Sequence, residues 1–121
     1  MTLQKSTGGL DFETLRRAME QQDVDLYASL YADDAEVRIV NHNNPPSSPF
    51  ELHGKEEIRN YLRQAPPEIT HRLDRTIADD EHAAATVVCQ YPDGKRVLCA
   101  AMFDLREGKI VREVSVEAWD E

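Results

Sequence analysis

The stretch "HAAATVVCQYPDGKRVLCAAMFDLREGKIVREVSVEAW", residues 82–119, decides the fold. Three runs rich in apolar and β-branched residues alternate with "YPDGK" and "REGK", a pattern of strands joined by tight turns. In the first joint, Pro92 suits the opening corner of a type I turn and Gly94 suits the left-handed position after it. That is a three-residue hairpin with a glycine bulge. "LREGK" invites the same geometry around Gly108. Three-residue loops pair Tyr91 with Lys95 and Leu105 with Lys109, so odd-numbered residues of all three strands share one face. The expected rows are Cys89–Val97–Glu117, Val87–Cys99–Ser115 and Ala85–Ala101–Glu113. A preceding strand over 69–78, turning through "ADDEH" with the same parity, places His71 opposite Cys89.

The odd face is apolar on the first three strands, through Ile69, Leu73, Ile77, Ala85, Val87, Val97, Ala101 and Phe103. On the last strand it turns polar, with Glu113, Ser115, Glu117 and Trp119. The even face of the last two strands carries Leu98, Ala100, Met102, Val114 and Val116. Apolar residues on both faces imply that the outer face is also covered, and a second copy of the chain is the simplest cover. A homodimer through those five residues is therefore expected.

Upstream, Asp11 caps a helical run in which Phe12, Leu15 and Met19 share a face. "DVDLYASLYADD" restarts a helix at Asp23 or Asp25, with Leu26/Leu30 and Tyr27/Tyr31 at i,i+4 spacing. "AEVRIV" reads as a short strand. "GKEEIRNYLRQ" reads as a third helix burying Ile58, Tyr61 and Leu62, stopped by Pro66-Pro67. The order helix, helix, strand, helix, then a four-strand meander defines an α+β layout.

At 121 residues the chain makes one domain, with residues 1–10 expected to be flexible. A formal net charge of −9 offers no basic stripe to a phosphate backbone and argues against nucleic acid. No run approaches the length of a membrane span, and "MTLQKSTGGL" lacks the apolar core of a secretory signal. Two cysteines do not make a disulfide framework, so a reduced cytoplasmic protein is expected.

"LYADDAEV", "HGKEEIRNYL" and "LREGKIVR", in that order, resemble the nuclear transport factor two-like, or SnoaL-like, superfamily. The resemblance covers nearly the whole chain. It implies a cone-like curved antiparallel sheet wrapping three N-terminal helices, a pocket between them, and a common tendency to dimerise. Members include ketosteroid isomerases, polyketide cyclases and limonene-type epoxide hydrolases, so the fold does not settle the function. The positions that carry isomerase chemistry correspond here to Ile39, Leu15 and Ala101, all apolar. Those of the epoxide hydrolases fall near Val88, Gln90 and Ser115, and Arg72-Leu73-Asp74 has the right letters on the wrong strand. SnoaL-type cyclases use a pocket carboxylic acid, which Glu113 or Glu117 supplies without motif identity.

Glu117 and Glu113 are the first catalytic candidates, because a carboxyl facing an apolar cavity loses solvation and becomes usable as an acid or base near neutrality. The alternative is an ion pair of Glu117 with Lys95 or Arg96 at the sheet end. His71 points inward beside them, as a proton relay or as a core histidine. Tyr27, Tyr31 and Tyr61, on the helices that roof the cone, are candidate ligand contacts. Cys99, Ser115 and Trp119 on the sheet join them, as do Asn41 and His42 at the start of "NHNNPPSSPFELHG". In that segment prolines stiffen a lid over the mouth, Phe50 and Leu52 tuck inward, and His53 serves the helix start. Cys89 and Cys99 lie diagonally, beyond disulfide reach, and read as free thiols. Asp33-Asp34 and Asp79-Asp80 read as structural acids at a helix end and a turn. No histidine or cysteine pair has ligand spacing on one element, so neither a metal nor another cofactor is expected. The ligand implied is a small, largely apolar molecule. The reaction, if there is one, is isomerisation, cyclisation or hydration. The other readings are binding alone, or dimerisation around a filled core.

Overall fold

The computed structural model describes residues 9–120. Helix α1 (Phe12–Gln21) begins where the Asp11 carboxylate accepts from Thr14 N, and it buries Leu15, Ala18 and Met19. Gln22 takes a left-handed conformation (φ 54°) and ends it. Asp23 caps the short α2 (Val24–Ala28) in the same way, accepting from Leu26 N. Strand β1 (Tyr31–Val40) and strand β2 (Phe50–His53) precede α3 (Lys55–Arg63). Strands β3 (Thr70–Ala78), β4 (His82–Gln90), β5 (Arg96–Arg106) and β6 (Lys109–Trp119) complete a six-stranded sheet of order β2-β1-β6-β5-β4-β3. The α+β cone layout is therefore present, with the helices on the concave face and the core between. All neighbours are antiparallel except β1 and β6, which run parallel.

The expected tail over residues 1–10 falls for residues 1–8 outside the described residues. Leu10, however, is buried in the core. The second helix is shorter than its spacing suggested. It stops at Ala28, and Tyr31 stands on β1 opposite Ile110, so Asp33 and Asp34 lie in a strand irregularity rather than at a helix end. Local i,i+4 spacing lost here to pairing with a strand about eighty residues away. Strand β2 pairs antiparallel with β1 through Val37↔Leu52 and Ile39↔Phe50. Leu52 is buried as expected, whereas Phe50 stays 38% exposed and packs on Tyr61 with ring centroids 5.4 Å apart.

The hairpins carry the register. Between β4 and β5, Tyr91 N donates to Lys95 O and Gly94 takes φ 92°, as expected for the three-residue loop. The β5–β6 joint differs. Arg106 pairs with Lys109 across a two-residue loop in which Glu107 and Gly108 both have positive φ (54° and 80°), the primed geometry that suits strand twist. A two-residue loop alone would turn the wrong face of β6 inward. A bulge at Val111, between the pairs Leu105↔Ile110 and Asp104↔Arg112, restores the parity. The rows consequently slide by two residues, to Val87–Cys99–Glu117, Ala85–Ala101–Ser115 and Cys89–Val97–Trp119, with Phe103 opposite Glu113. Ile110, before the bulge, is fully buried, although its even number placed it outside.

A second bulge at Asp74 has the opposite outcome. His71↔Cys89 and Leu73↔Val87 pair as expected, but beyond Asp74 the phase shifts and Ile77 pairs with Ala84. Ile77, expected inward, is 72% exposed.

The β2–α3 junction rests on Gly54, whose φ of 89° and ψ of 155° lie where side-chain-bearing residues almost never go. Its N–H donates to Ala35 O at 2.7 Å, and the Glu57 carboxylate accepts from His53 N at 2.8 Å. A built Cβ would meet nothing closer than Asp33 O at 3.6 Å, so the cost of a substitution is backbone strain rather than a clash. Gly54→Ala should therefore lower unfolding free energy by about 1–3 kcal/mol in urea titration.

Candidate functional site

A cavity of about 730 Å³ lies between the helices and the concave sheet face. Its walls are mostly apolar, with Val37 and Ile39 of β1, Leu52 of β2, Ile58 of α3 and Val87 of β4 among them. Four of its polar groups come from one strand. Beyond the bulge, Glu113, Ser115, Glu117 and Trp119 of β6 line it, together with Tyr31 of β1 and Asn41 just past its end. Gln22, Asp23, Arg63 and Gln64 line it from the helices and their ends.

Two clusters result. In the first, the Tyr31 hydroxyl donates to Glu113 Oε1 at 2.5 Å and the Ser115 hydroxyl donates to Glu113 Oε2 at 2.6 Å. Tyr27 stacks beside Tyr31 with centroids 6.3 Å apart. Burial pushes the Glu113 carboxyl above its ordinary value, while hydrogen bonds from Ser115 and Tyr31 pull it partly back. Burial and the neighbouring Glu113 raise Tyr27 and Tyr31 well above the usual phenol, so both stay protonated. In the second cluster, Glu117 Oε1 accepts from Asn41 Nδ2 at 2.9 Å and from Trp119 Nε1 at 3.4 Å. Among the described residues, Glu117 forms no ion pair, so neither Lys95 nor Arg96 claims it.

Asn41 ties the turn after β1 to Glu117. Its Oδ1 accepts from Asn43 N, Asn44 N and Asn44 Nδ2, each at 3.0 Å, closing the turn that starts the proline segment. The same amide holds Glu117. His42 is not part of the cavity wall as expected; its ring tilts over Trp119 with centroids 6.2 Å apart. Asn41 opens the turn and His42 sits within it, a difference of one position that no residue type in the sequence marks. Tyr61, expected to be buried, is 37% exposed and lines the cavity from α3. Burial and the charge of Glu117 raise its phenol to about 12.

His71 lies in the wall with Nδ1 3.2 Å from Cys89 Sγ. Burial lowers its pKa, which keeps the ring neutral. Both cysteines are free, half-buried and inward. Burial raises Cys89 to about 11 and Cys99 to about 12, so neither is a ready nucleophile. Among the described residues no three His, Cys, Asp or Glu side chains converge as a metal site. The paired acids are engaged in different ways: Asp34 meets Arg106 at 3.0 Å across the chain, whereas Asp79 Oδ1 accepts locally from Glu81 N and His82 N. Leu15, Ile39 and Ala101, which the family resemblance set at the isomerase catalytic positions, are buried and apolar.

The SnoaL-like domain family profile matches residues 12–113, and the chain belongs to that family. No curated protein matches it. Among solved structures, an NTF2-like protein of unknown function from Burkholderia xenovorans superposes with a TM-score of 0.77 at 17% identity, covering 91% of this chain and 81% of its own. A Kribbella flavida protein named as a candidate ketosteroid isomerase gives 0.70 at 19% identity, covering 91% and 75%. A computationally designed 17-OHP binder gives 0.62 at 17%, covering 86% and 87%. At such identities the likeness shows the fold alone. No described helix is long and apolar enough to cross a membrane.

The raised Glu113 carboxyl has a consequence for stability. The folded chain holds this proton more tightly than the unfolded chain, so stability falls as pH rises from about 4.5, the ordinary value, through the folded one. Glu113→Gln does not ionise. Its melting temperature relative to wild type should climb across that window and level off above it, as thermal melts at stepped pH would show.

Proposed function

We propose that the chain binds a small, largely apolar molecule in this cavity and moves a proton on it, with Glu113 as the acid/base group. The observation that carries this reading is the carboxyl of Glu113, raised by burial and held between the Tyr31 and Ser115 hydroxyls on the cavity wall. Each carboxylate oxygen keeps a second lone pair beyond the one those hydroxyls use, so it can still accept a proton from a ligand. The hydroxyl of Tyr27, on the same wall, is the donor for a ligand oxygen, and Glu117 and His71 orient the ligand. The reaction class this supports is isomerisation, cyclisation or hydration.

A probe ketone tests the idea without the natural substrate. The carboxylate takes an α-proton from 2-tetralone, Tyr27 stabilises the enolate oxygen, and deuteron return completes an exchange visible by NMR in D2O. Wild type should accelerate exchange over buffer, and Glu113→Gln should lose about a hundredfold of that rate. Unchanged exchange in the variant removes Glu113 from the role. Binding of the ketone without exchange by wild type leaves binding alone, a reading favoured by the apolar residues at the isomerase positions. The cavity volume speaks against a core filled by its own side chains.

We also propose a second copy of the chain as the partner of the outer sheet face. Met102, Val116, Leu98 and Val114 are 68%, 51%, 50% and 37% exposed there, with Ala100 beside them. Wild type should elute as a dimer in size-exclusion chromatography, and Val116→Lys should shift it to monomer. A variant that elutes at the parent's size sinks this interface.

A further inference from the structure

We propose that the cavity selects ligands carrying a protonated amine, with Glu117 as the ammonium's partner and the rings of Tyr61 and Trp119 beside it. This specifies the substrate class and rests on reading the cavity as a ligand site.

The charge balance leads there. Glu113 and Glu117 share one largely apolar cavity, whose other carboxylate, the exposed Asp23, is engaged as the cap of α2. A carboxylate in such surroundings is costly unless a positive charge accompanies it. The groups that hydrogen-bond the pair are neutral: the Tyr31 and Ser115 hydroxyls, the Asn41 amide and the Trp119 indole. They satisfy hydrogen bonds without supplying charge. Among the described residues that line the cavity, Arg63 is the sole Lys or Arg. It is exposed, and its Nη1 donates to Asn60 Oδ1 at 3.2 Å instead. His71, in the wall, is held neutral by burial. The missing cation is thus left for the ligand.

The walls suit the same ligand. Aromatic faces attract an ammonium through their quadrupole, most strongly where water is excluded. Trp119 stands beside Glu117, and the charge of Glu117 reaches Tyr61, so ring and carboxylate act on one region. The two glutamates divide the work. Glu113 has both oxygens engaged by hydroxyls, whereas the hydrogen bonds of Glu117 fall on Oε1 alone, leaving Oε2 for an N–H donor. The net charge of −9 favours the approach of a cation and disfavours an acid.

Three probes sharing one ring system separate charge from shape: 2-naphthylmethylamine, 2-naphthylmethanol and 2-naphthoate, titrated into the full chain by calorimetry at neutral pH. The amine should bind at least about tenfold more tightly than the alcohol, and naphthoate should bind weakest. Glu117→Gln should bring the amine-to-alcohol ratio to about one. Trp119→Leu, which keeps the carboxylate and removes one ring, should narrow the ratio without erasing it. An alcohol that binds as tightly as the amine, or a naphthoate that binds tightest, overturns the charge selection while leaving the pocket reading intact. A preference that survives Glu117→Gln overturns the assignment to Glu117. Absence of binding by all three overturns the pocket reading and this one with it.

Discussion

The register between β5 and β6 is the constraint on which the site depends. A strand's side chains alternate with period two, so a slip of one residue exchanges Glu113, Ser115 and Glu117 for Val114 and Val116. Two local features fix that register together. The Glu107–Gly108 loop takes the geometry that matches strand twist, and the Val111 bulge re-phases the remainder of β6. The bulge also lets β6 place Ile110 in the core at one end and its polar residues in the cavity beyond it. One strand thereby serves both core and site, with one position left unpaired.

The neighbours of β6 complete what its register begins. Because β1 runs parallel to it, Val37 stands beside Glu113 and Ile39 beside Ser115, putting apolar walls next to polar groups. The same strand delivers Tyr31 at its start and leads into Asn41 just past its end, so each glutamate receives a donor from β1 or the turn that follows it. The donors differ in consequence. Tyr31 and Ser115 hold a carboxyl whose pKa burial already raises, whereas Asn41 couples Glu117 to the turn that follows β1.

Much of this was legible in the chain, and the failures share one cause. The four meander strands, the Asp11 cap, the inward face of β6 and the His71–Cys89 pairing all follow from local chemistry and period-two alternation, whereas β2, lying in the segment read as a lid, does not. The β5–β6 rows were displaced by two residues because "REGK" fits a three-residue loop and a two-residue loop equally well. Glycine supplies the positive φ in either. Parity survived only because the bulge compensated, and no residue type marks a bulge at Val111. Ile77 shows the opposite case, where an unmarked bulge at Asp74 turned an apolar residue outward. Tyr31 looked helical because its strand partner lies far away in the chain. The hydrogen bonds from Asn41 and Tyr31 to the two glutamates rest on that same distant pairing, which is why the composition of the site was readable and its connectivity was not.

The apolar residues at the isomerase positions fit this relocation of polar groups. Leu15, Ile39 and Ala101 sit on α1, β1 and β5, so chemistry placed there would draw on three separate elements. Here the glutamates, the serine and the tryptophan belong to β6, which has hydrogen-bonded neighbours on both sides in the sheet. Interior strands of a sheet move less than helix ends or loops, because their backbone groups are paired along both edges. Spacing along such a strand is fixed at about 6.6 Å for alternate residues. Glu113 and Glu117, four residues apart, are held at about twice that distance along the backbone, with Ser115 between them. Ligand polar groups must match that interval to engage both, and a single small polar group engages only one. On the reading proposed above, this spacing assigns proton transfer to Glu113 and charge recognition to Glu117 as two separate points of contact.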